Sequence, residues 1–248
     1  VKALTITPAQ KGALQATISF IIPKVRINGA ALNRVDSLVV SRDGVDIAHI
    51  DAATIGTRME WTDKNVPTDG FHTYTITPYL DGHPGRKATI RMFIGTDRPH
   101  NPTGITFTDQ GTKLKAAWNA FQSVGANGGY LDPKHVSVTF YTLTKGDLGF
   151  ELGDSLTTSK PGELSTSLPF DPNKTTMEDG KTQTLAWFGV RANNGSGESD
   201  CVTARGVVIG PCIPLPFKES MANGQLDNGF ASLLGNEQYN SRKTAAAW

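Results

Sequence analysis

Leu4-Thr5-Ile6-Thr7 returns about one hundred positions later as Ile105-Thr106-Phe107-Thr108. In both stretches apolar and hydroxyl side chains alternate, the period of two that a strand shows when one of its faces is buried. The repetition continues downstream. Leu14, Ala16, Ile18 and Phe20 are answered by Leu114, Ala116 and Trp118, and Ile27-Asn28-Gly29-Ala30-Ala31-Leu32 by Ala126-Asn127-Gly128-Gly129-Tyr130-Leu131. Tyr74-Thr75-Ile76 corresponds to Phe188-Gly189-Val190, and Phe93-Ile94-Gly95 to Val208-Ile209-Gly210. Self-similarity on this scale marks a structural unit written twice.

The offsets between the copies run from 98 to 101 early in the repeat and reach 114 to 115 at its end, which places about fourteen extra residues between Tyr141 and Leu185. Ser, Thr and Gly concentrate in residues 149–167, expected here as an inserted surface loop, where added chain costs little stability. Copy one resolves into seven alternating runs, at 3–7, 14–22, 37–42, 46–50, 59–62, 72–79 and 87–93. Asp43-Gly44 between two of them is a hairpin signal, because a tight turn needs positive φ and glycine supplies it. A parallel sheet would need crossover helices, and no amphipathic stretch of helical length precedes residue 218. The expected fold is all-β: two tandem immunoglobulin-like antiparallel β-sandwiches, over 1–97 and 98–210, followed by an extended C-terminal tail, 211–248.

Both copies resemble fibronectin type III domains. Trp118 is similar to that family's core tryptophan on the second strand, where copy one has Phe20. Tyr74 resembles its tyrosine corner, where copy two has Phe188 and lacks the hydroxyl. Val190-Arg191-Ala192-Asn193-Asn194-Gly195-Ser196-Gly197 is close to the family's strand-then-turn ending. After the stiff run Pro211-Cys212-Ile213-Pro214-Leu215-Pro216, the segment from Pro216 to Gly224 is similar to the opening of a choice-of-anchor or MAM-like jelly-roll domain. Such domains follow fibronectin modules in bacterial cell-surface proteins, so the resemblance implies an extracellular or outer-surface anchored protein. Residues 211–248 would be a truncated third domain or a docked segment, too short for a core of their own.

Charge excludes some functions. Lys+Arg number 24 against Asp+Glu 23 in 248 residues, a net +1, without the basic footprint of a nucleic-acid binder. No apolar run approaches the ~18–20 residues of a membrane span, and no signal segment opens the chain, so a soluble, mature or trimmed piece is expected. Hydrophobic residues at 38% and charged residues at 19% suit a globular chain.

The residues capable of chemistry are scattered. His49, His72, His83, His100 and His135 stand apart, mostly on polar faces or in loops, without metal-ligand spacing. Gly195-Ser196-Gly197 falls in a turn and makes no nucleophile elbow. Asp43, Asp46 and Asp51 flank one hairpin without the spacing of a calcium loop. No catalytic residue, metal or cofactor is therefore assigned, and the chain is expected not to be an enzyme. Trp61, Tyr130 and Trp187 are candidate ligand-binding residues. Trp187 adjoins Phe188, so an alternating strand must turn one of the pair outward. Packing between sandwiches and stacking on a sugar or protein partner remain the two readings of these rings. Asp36-Ser37-Leu38 and Asp154-Ser155-Leu156 match an acidic-hydroxyl-aliphatic O-glycosylation pattern of such bacteria, making Ser155 and Ser37 candidate modification sites. Cys201 and Cys212 are either two isolated thiols or a disulfide pinning the exit linker.

The expected function is a non-catalytic spacer or interaction module at the cell surface. It would be monomeric, with an unidentified protein or glycan partner, no nucleic acid and no membrane span in this chain. The alternative is an accessory, carbohydrate-binding part of a polysaccharide-degrading enzyme whose catalytic domain lies elsewhere. A homotypic adhesin pairing through exposed strand edges is a third possibility.

Overall fold

A computed structural model describes residues 1–146, 149–169 and 184–209. The chain divides into two compact units. Unit 1 comprises Val1–Pro99 together with Gln122–Asp132; unit 2 comprises His100–Phe121 and the described residues from Pro133 onward.

Unit 1 holds strands β1 (Lys2–Pro8), β2 (Ala16–Ile21), β3 (Val35–Arg42), β4 (Val45–Ala53), β5 (Arg58–Asp63), β6 (Gly70–Leu80), β7 (His83–Pro84) and β8 (Ala88–Ile94). Each of the seven runs read from the sequence overlies one of them. One sheet has the order β1-β2-β5; the other has β4-β3-β6-β7, with β8 also on β6, and every pairing is antiparallel. Alternation sends Ile18, Phe20, Leu38, Val40, Tyr74 and Ile76 into one core. Burying a ring such as that of Phe20 contributes about 2–3 kcal/mol. The β3–β4 hairpin turns at Asp43 and Gly44 with φ of +51° and +85°. Positive φ at both central residues is the turn whose twist matches that of the strands.

Unit 2 repeats the plan with β9 (Thr106–Asp109), β10 (Leu114–Ala117), β11 (Ser137–Gly146), β12 (Gly149–Thr158), β13 (Ser165–Leu168), β14 (Thr184–Asn193), β15 (Val202–Thr203) and β16 (Val207–Ile209). Its sheets run β13-β10-β9 and β12-β11-β14-β15, with β16 also on β14. Phe107 lies 5.2 Å from Phe188 and 6.2 Å from Phe140, and Trp118 lies 5.7 Å from Phe140, centroid to centroid, forming an aromatic core. The duplicated all-β fold, two antiparallel sandwiches in tandem, is therefore present. The tail 211–248 lies outside the described residues.

Three details differ from the sequence reading. Residues 149–167 are not a loop: they form β12, paired with β11, and most of β13, paired with β10. Ser, Thr and Gly there belong to an edge strand and its turn. The extra length of copy two falls further on, because β13 ends at Leu168 and β14 begins at Thr184, whereas β5 ends at Asp63 and β6 begins at Gly70. Second, unit 1 takes in residues 122–132, which the sequence repeat assigns to copy two. Third, the drift of the early offsets has a local cause: β1 and β2 are joined through a 3₁₀ turn at Gln10–Gly12, while β9 and β10 are joined by a shorter turn at Gly111.

Candidate functional site

In unit 1 a shallow, open cleft is lined by Arg42, Ile47, Trp61, Asp63, Lys64 and Asn65. Trp61 stands opposite Ile18 in the β2–β5 ladder, so it turns toward the interior, yet its ring remains half-buried. Behind it, Arg42, Asp63 and Tyr74 reach inward from β3, β5 and β6. The Arg42 guanidinium Nη1 donates to Asp63 Oδ2 and to the Asn65 carbonyl at 3.0 Å. The fully buried Tyr74 hydroxyl donates to Asp63 Oδ2 at 2.8 Å, and the Asn65 amide to Asp63 Oδ1 at 3.0 Å. Burial pushes the Asp63 carboxyl up, but the Asn65 and Tyr74 hydrogen bonds and Arg42 outweigh it and hold it below the usual carboxylate range. The Tyr74 phenol goes the other way: burial first, then the Asp63 charge, raise it well above its ordinary value. Tyr74, expected at a tyrosine corner, is buried, and its hydroxyl donates to the Asp63 side chain.

A second cluster corrects the reading of the histidines. His72 is buried, not on a polar face, because its strand β6 turns it inward. Its Nδ1 lies 2.7 Å from Asp43 Oδ2 and its Nε2 2.9 Å from the Thr68 carbonyl oxygen. Asp43 Oδ1 also accepts the Thr73 amide at 2.8 Å. Burial raises the Asp43 carboxyl; the His72 and Thr73 hydrogen bonds more than offset this and keep it below its ordinary range. An Asp–His pair is half of a nucleophile-activating triad, but such a base needs one ring nitrogen directed at the nucleophile. Here that nitrogen faces a backbone carbonyl. The pair ties the β3–β4 turn to β6.

Tyr130 belongs to unit 1, where it bridges Val124 and Thr96 and its ring rests close to Gly12. The organiser of this region is Asp97, only 1% exposed. Its Oδ1 accepts the Arg98 amide and Asn127 Nδ2, both at 2.8 Å; Oδ2 accepts the amides of Asn127 at 2.6 Å and Gly129 at 3.2 Å. A Cβ on Gly129 would come within 2.3 Å of the Phe93 ring, so the close approach requires glycine. The Asn127-Gly128-Gly129 cluster is a turn, as its composition suggests.

Trp187 belongs to unit 2, half-buried on β14, with its ring centroid 5.1 Å from that of Phe150. Phe150 belongs to the 149–167 stretch, so Trp187 packs against the first part of β12. Ser155 is exposed on β12, and Ser37 is buried in β3 between Asp51 and Tyr79. Cys201 is an exposed free thiol; Cys212, and with it the proposed disulfide, lies outside the described residues. Among the described residues no group of three His, Cys, Asp or Glu side chains is placed to hold a metal, and no helix is long and apolar enough to cross a membrane. Sequence reasoning passed over Asp63, Asp97 and His72. One signal pointed to Asp63 and Asp97: each sits at or just past the end of a strand, where loop amides need acceptors.

No family model matches the chain, and no curated protein matches it. Solved structures do. A two-domain fibronectin type III segment of chicken tenascin matches at 13% identity, covering 84% of this chain and 98% of that one, with a TM-score of 0.31. The central fibronectin type III array of RIM-binding protein matches at 17% identity over 88% of this chain and 71% of that one, with a TM-score of 0.29. The structural neighbours are tandem fibronectin type III domains, while the sandwich fold of this chain is read from its own strand orders.

Proposed function

We propose that this chain is a non-catalytic spacer and interaction module that acts outside the cell. The observation that carries this reading is the use made of the buried polar side chains. Asp97 and the Asp43–His72 pair each hold main chain by two or more hydrogen bonds, and Asp63 holds the Asn65 amide beside the Arg42 and Tyr74 side chains. Charges engaged this way rigidify a scaffold and are withdrawn from substrate chemistry. Loops at the ends of such preformed sandwiches then remain available for a protein or glycan partner.

A second reading, an accessory carbohydrate-binding part of a larger polysaccharide-degrading enzyme, is favoured by the Trp61 cleft. There an aromatic face is flanked by Lys64 and Asn65, the combination that sugar rings stack and hydrogen-bond upon. A glycan array probed with the full chain separates the two. The spacer reading predicts flat signals across plant and host glycans. Saturable binding that Trp61→Ala abolishes would instead establish the carbohydrate reading.

A further inference from the structure

Three Asn-Gly dipeptides fall among the described residues: Asn28-Gly29, Asn127-Gly128 and Asn194-Gly195. In such a pair the side-chain carboxamide can react with the next residue's own nitrogen, because glycine has no Cβ to hinder the approach. The first two occupy the same turn, written once in each copy of the repeat. The Gly29 amide donates to the Arg26 carbonyl and the Gly128 amide to the Gly125 carbonyl, both at 3.0 Å. The Arg26 amide donates to the Ala30 carbonyl at 2.7 Å, and the Gly125 amide to the Gly129 carbonyl at 2.9 Å. Gly29 and Gly128 have φ of +86° and +87°. Val25 bridges Ala31 as Val124 bridges Tyr130, and both asparagines are exposed. The backbone therefore restrains the two attacking nitrogens alike. In the third dipeptide, Asn193 Oδ1 accepts the attacking Gly195 amide at 2.7 Å.

The side chains of the matched pair are held differently. Asn127 is gripped by the buried Asp97: its amide donates to Oδ2 at 2.6 Å and its Nδ2 to Oδ1 at 2.8 Å. These bonds fix the carboxamide, and the carboxylate opposes the negative charge that builds on the carboxamide oxygen during attack. Asp97 also takes the Gly129 amide, at 3.2 Å. In copy one the equivalent amide, that of Ala30, donates instead to Asn28 Oδ1 at 3.2 Å. It thus places a donor on the oxygen where charge develops. That is the one side-chain hydrogen bond of Asn28 among the described residues, and it leaves Nδ2 unrestrained. Where copy two has Gly125 on this turn, copy one has the cation Arg26.

We propose that Asn28 is a modification site, its carboxamide hydrolysed through attack by the Gly29 nitrogen, and that Asp97 protects the same turn in copy two. A solvent base takes the Gly29 N–H proton, the nitrogen bonds to Asn28 Cγ, and the Cγ–Nδ2 bond breaks as Nδ2 gains a proton and leaves as ammonia. Water then opens the succinimide ring at one carbonyl or the other, giving aspartate or isoaspartate. The product adds a negative charge to the β2–β3 connection. In the isoaspartate form it also adds a backbone carbon to a turn whose neighbours Val25 and Ile27 are 46% and 82% exposed.

Peptide mapping of the full chain held in mildly alkaline heavy-oxygen water tests this, with isoaspartate read by enzymatic methyl transfer. Asn28 should take up label several-fold faster than Asn127. In Asp97→Ala the Asn127 rate should rise several-fold toward that of Asn28, whose own rate stays unchanged. Equal rates at the two sites in the folded natural chain, or a slower Asn28, would overturn the proposal. The natural chain unfolded in urea supplies a second arm that does not depend on the variant folding. There the two sites should convert at similar rates; a difference that survives in urea would lie in the local sequence and refute protection by Asp97.

Discussion

Asp63 is the residue on which one end of unit 1 depends. Tyr74 and Arg42 are its partners from two other strands, so removing either leaves a buried group short of hydrogen bonds. Tyr74→Phe, the residue copy two uses naturally at Phe188, should lower unfolding free energy by about 1 kcal/mol in urea titration. Asp63→Ala should cost more, about 3 kcal/mol, because Arg42 is left as a largely buried, uncompensated charge. Equal effects of the two variants would contradict this account. The pH dependence has a definite sign. Asp43 and Asp63 both titrate lower in the folded chain than an ordinary carboxylate does. In acid the unfolded chain therefore binds more protons. The stability these groups contribute is fully present above the ordinary carboxylate range and is lost as pH falls through their depressed folded values. Urea midpoints measured from neutral pH down to about 3 should fall, and the fall should be shallower in Asp43→Asn and Asp63→Asn.

Among the elements, the segment 122–132 and the split strand β15–β16 behave in ways their sequences announce only in part. Asp97 supplies acceptors to the amides of Asn127 and Gly129. In Asp97→Ala these amides should exchange with deuterium at least tenfold faster while the amides of β3 and β6 keep their protection; unchanged exchange would show that Asp97 does not hold the segment. The ladder register also bears on the cysteines. Val202 pairs with Val190, whereas Ile209 pairs with Thr184. Val202 and Ile209 are thus separated by about 20 Å along β14, and Cys201 lies one residue beyond Val202. Cys212 follows Ile209 by three residues, a reach of about 10 Å, and a disulfide adds at most about 7 Å between Cα atoms. While β16 stays on β14, both cysteines should titrate as free thiols under non-reducing conditions; a Cys201–Cys212 bridge found in intact mass would mean that β16 leaves the sheet. Strands were legible in the sequence because one buried face imposes a period of two, visible in Ala16-Thr17-Ile18-Ser19-Phe20. Gly149–Thr158 escaped because its alternating pair Phe150 and Leu152 gives way to Gly153-Asp154-Ser155, and register shifts interrupt its ladder with β11. His72 escaped because its inward turn is set by the register of β6, and its partners come from the β3–β4 turn and from Thr68.

At the scale of the whole molecule, the account rests on one sandwich plan executed twice, each execution with its own core. Ile18, Phe20, Leu38 and Tyr74 serve unit 1; Trp118, Phe140, Phe188 and Val190 serve unit 2. The aromatic weight differs between the copies: Phe20 and Tyr74 in unit 1, and Phe107, Trp118, Phe140 and Phe188 in unit 2. Their central strand pairs are nevertheless equivalent: β3 with β6, and β11 with β14. Segment-resolved hydrogen exchange on the intact chain tests this duplication most directly. The account predicts two separate maxima of protection, over Val35–Arg42 with Gly70–Leu80 and over Ser137–Gly146 with Thr184–Asn193, with faster exchange at the edge strands β4 and β12. A single protected block confined to one half of the chain, or maxima on the edge strands, would contradict it.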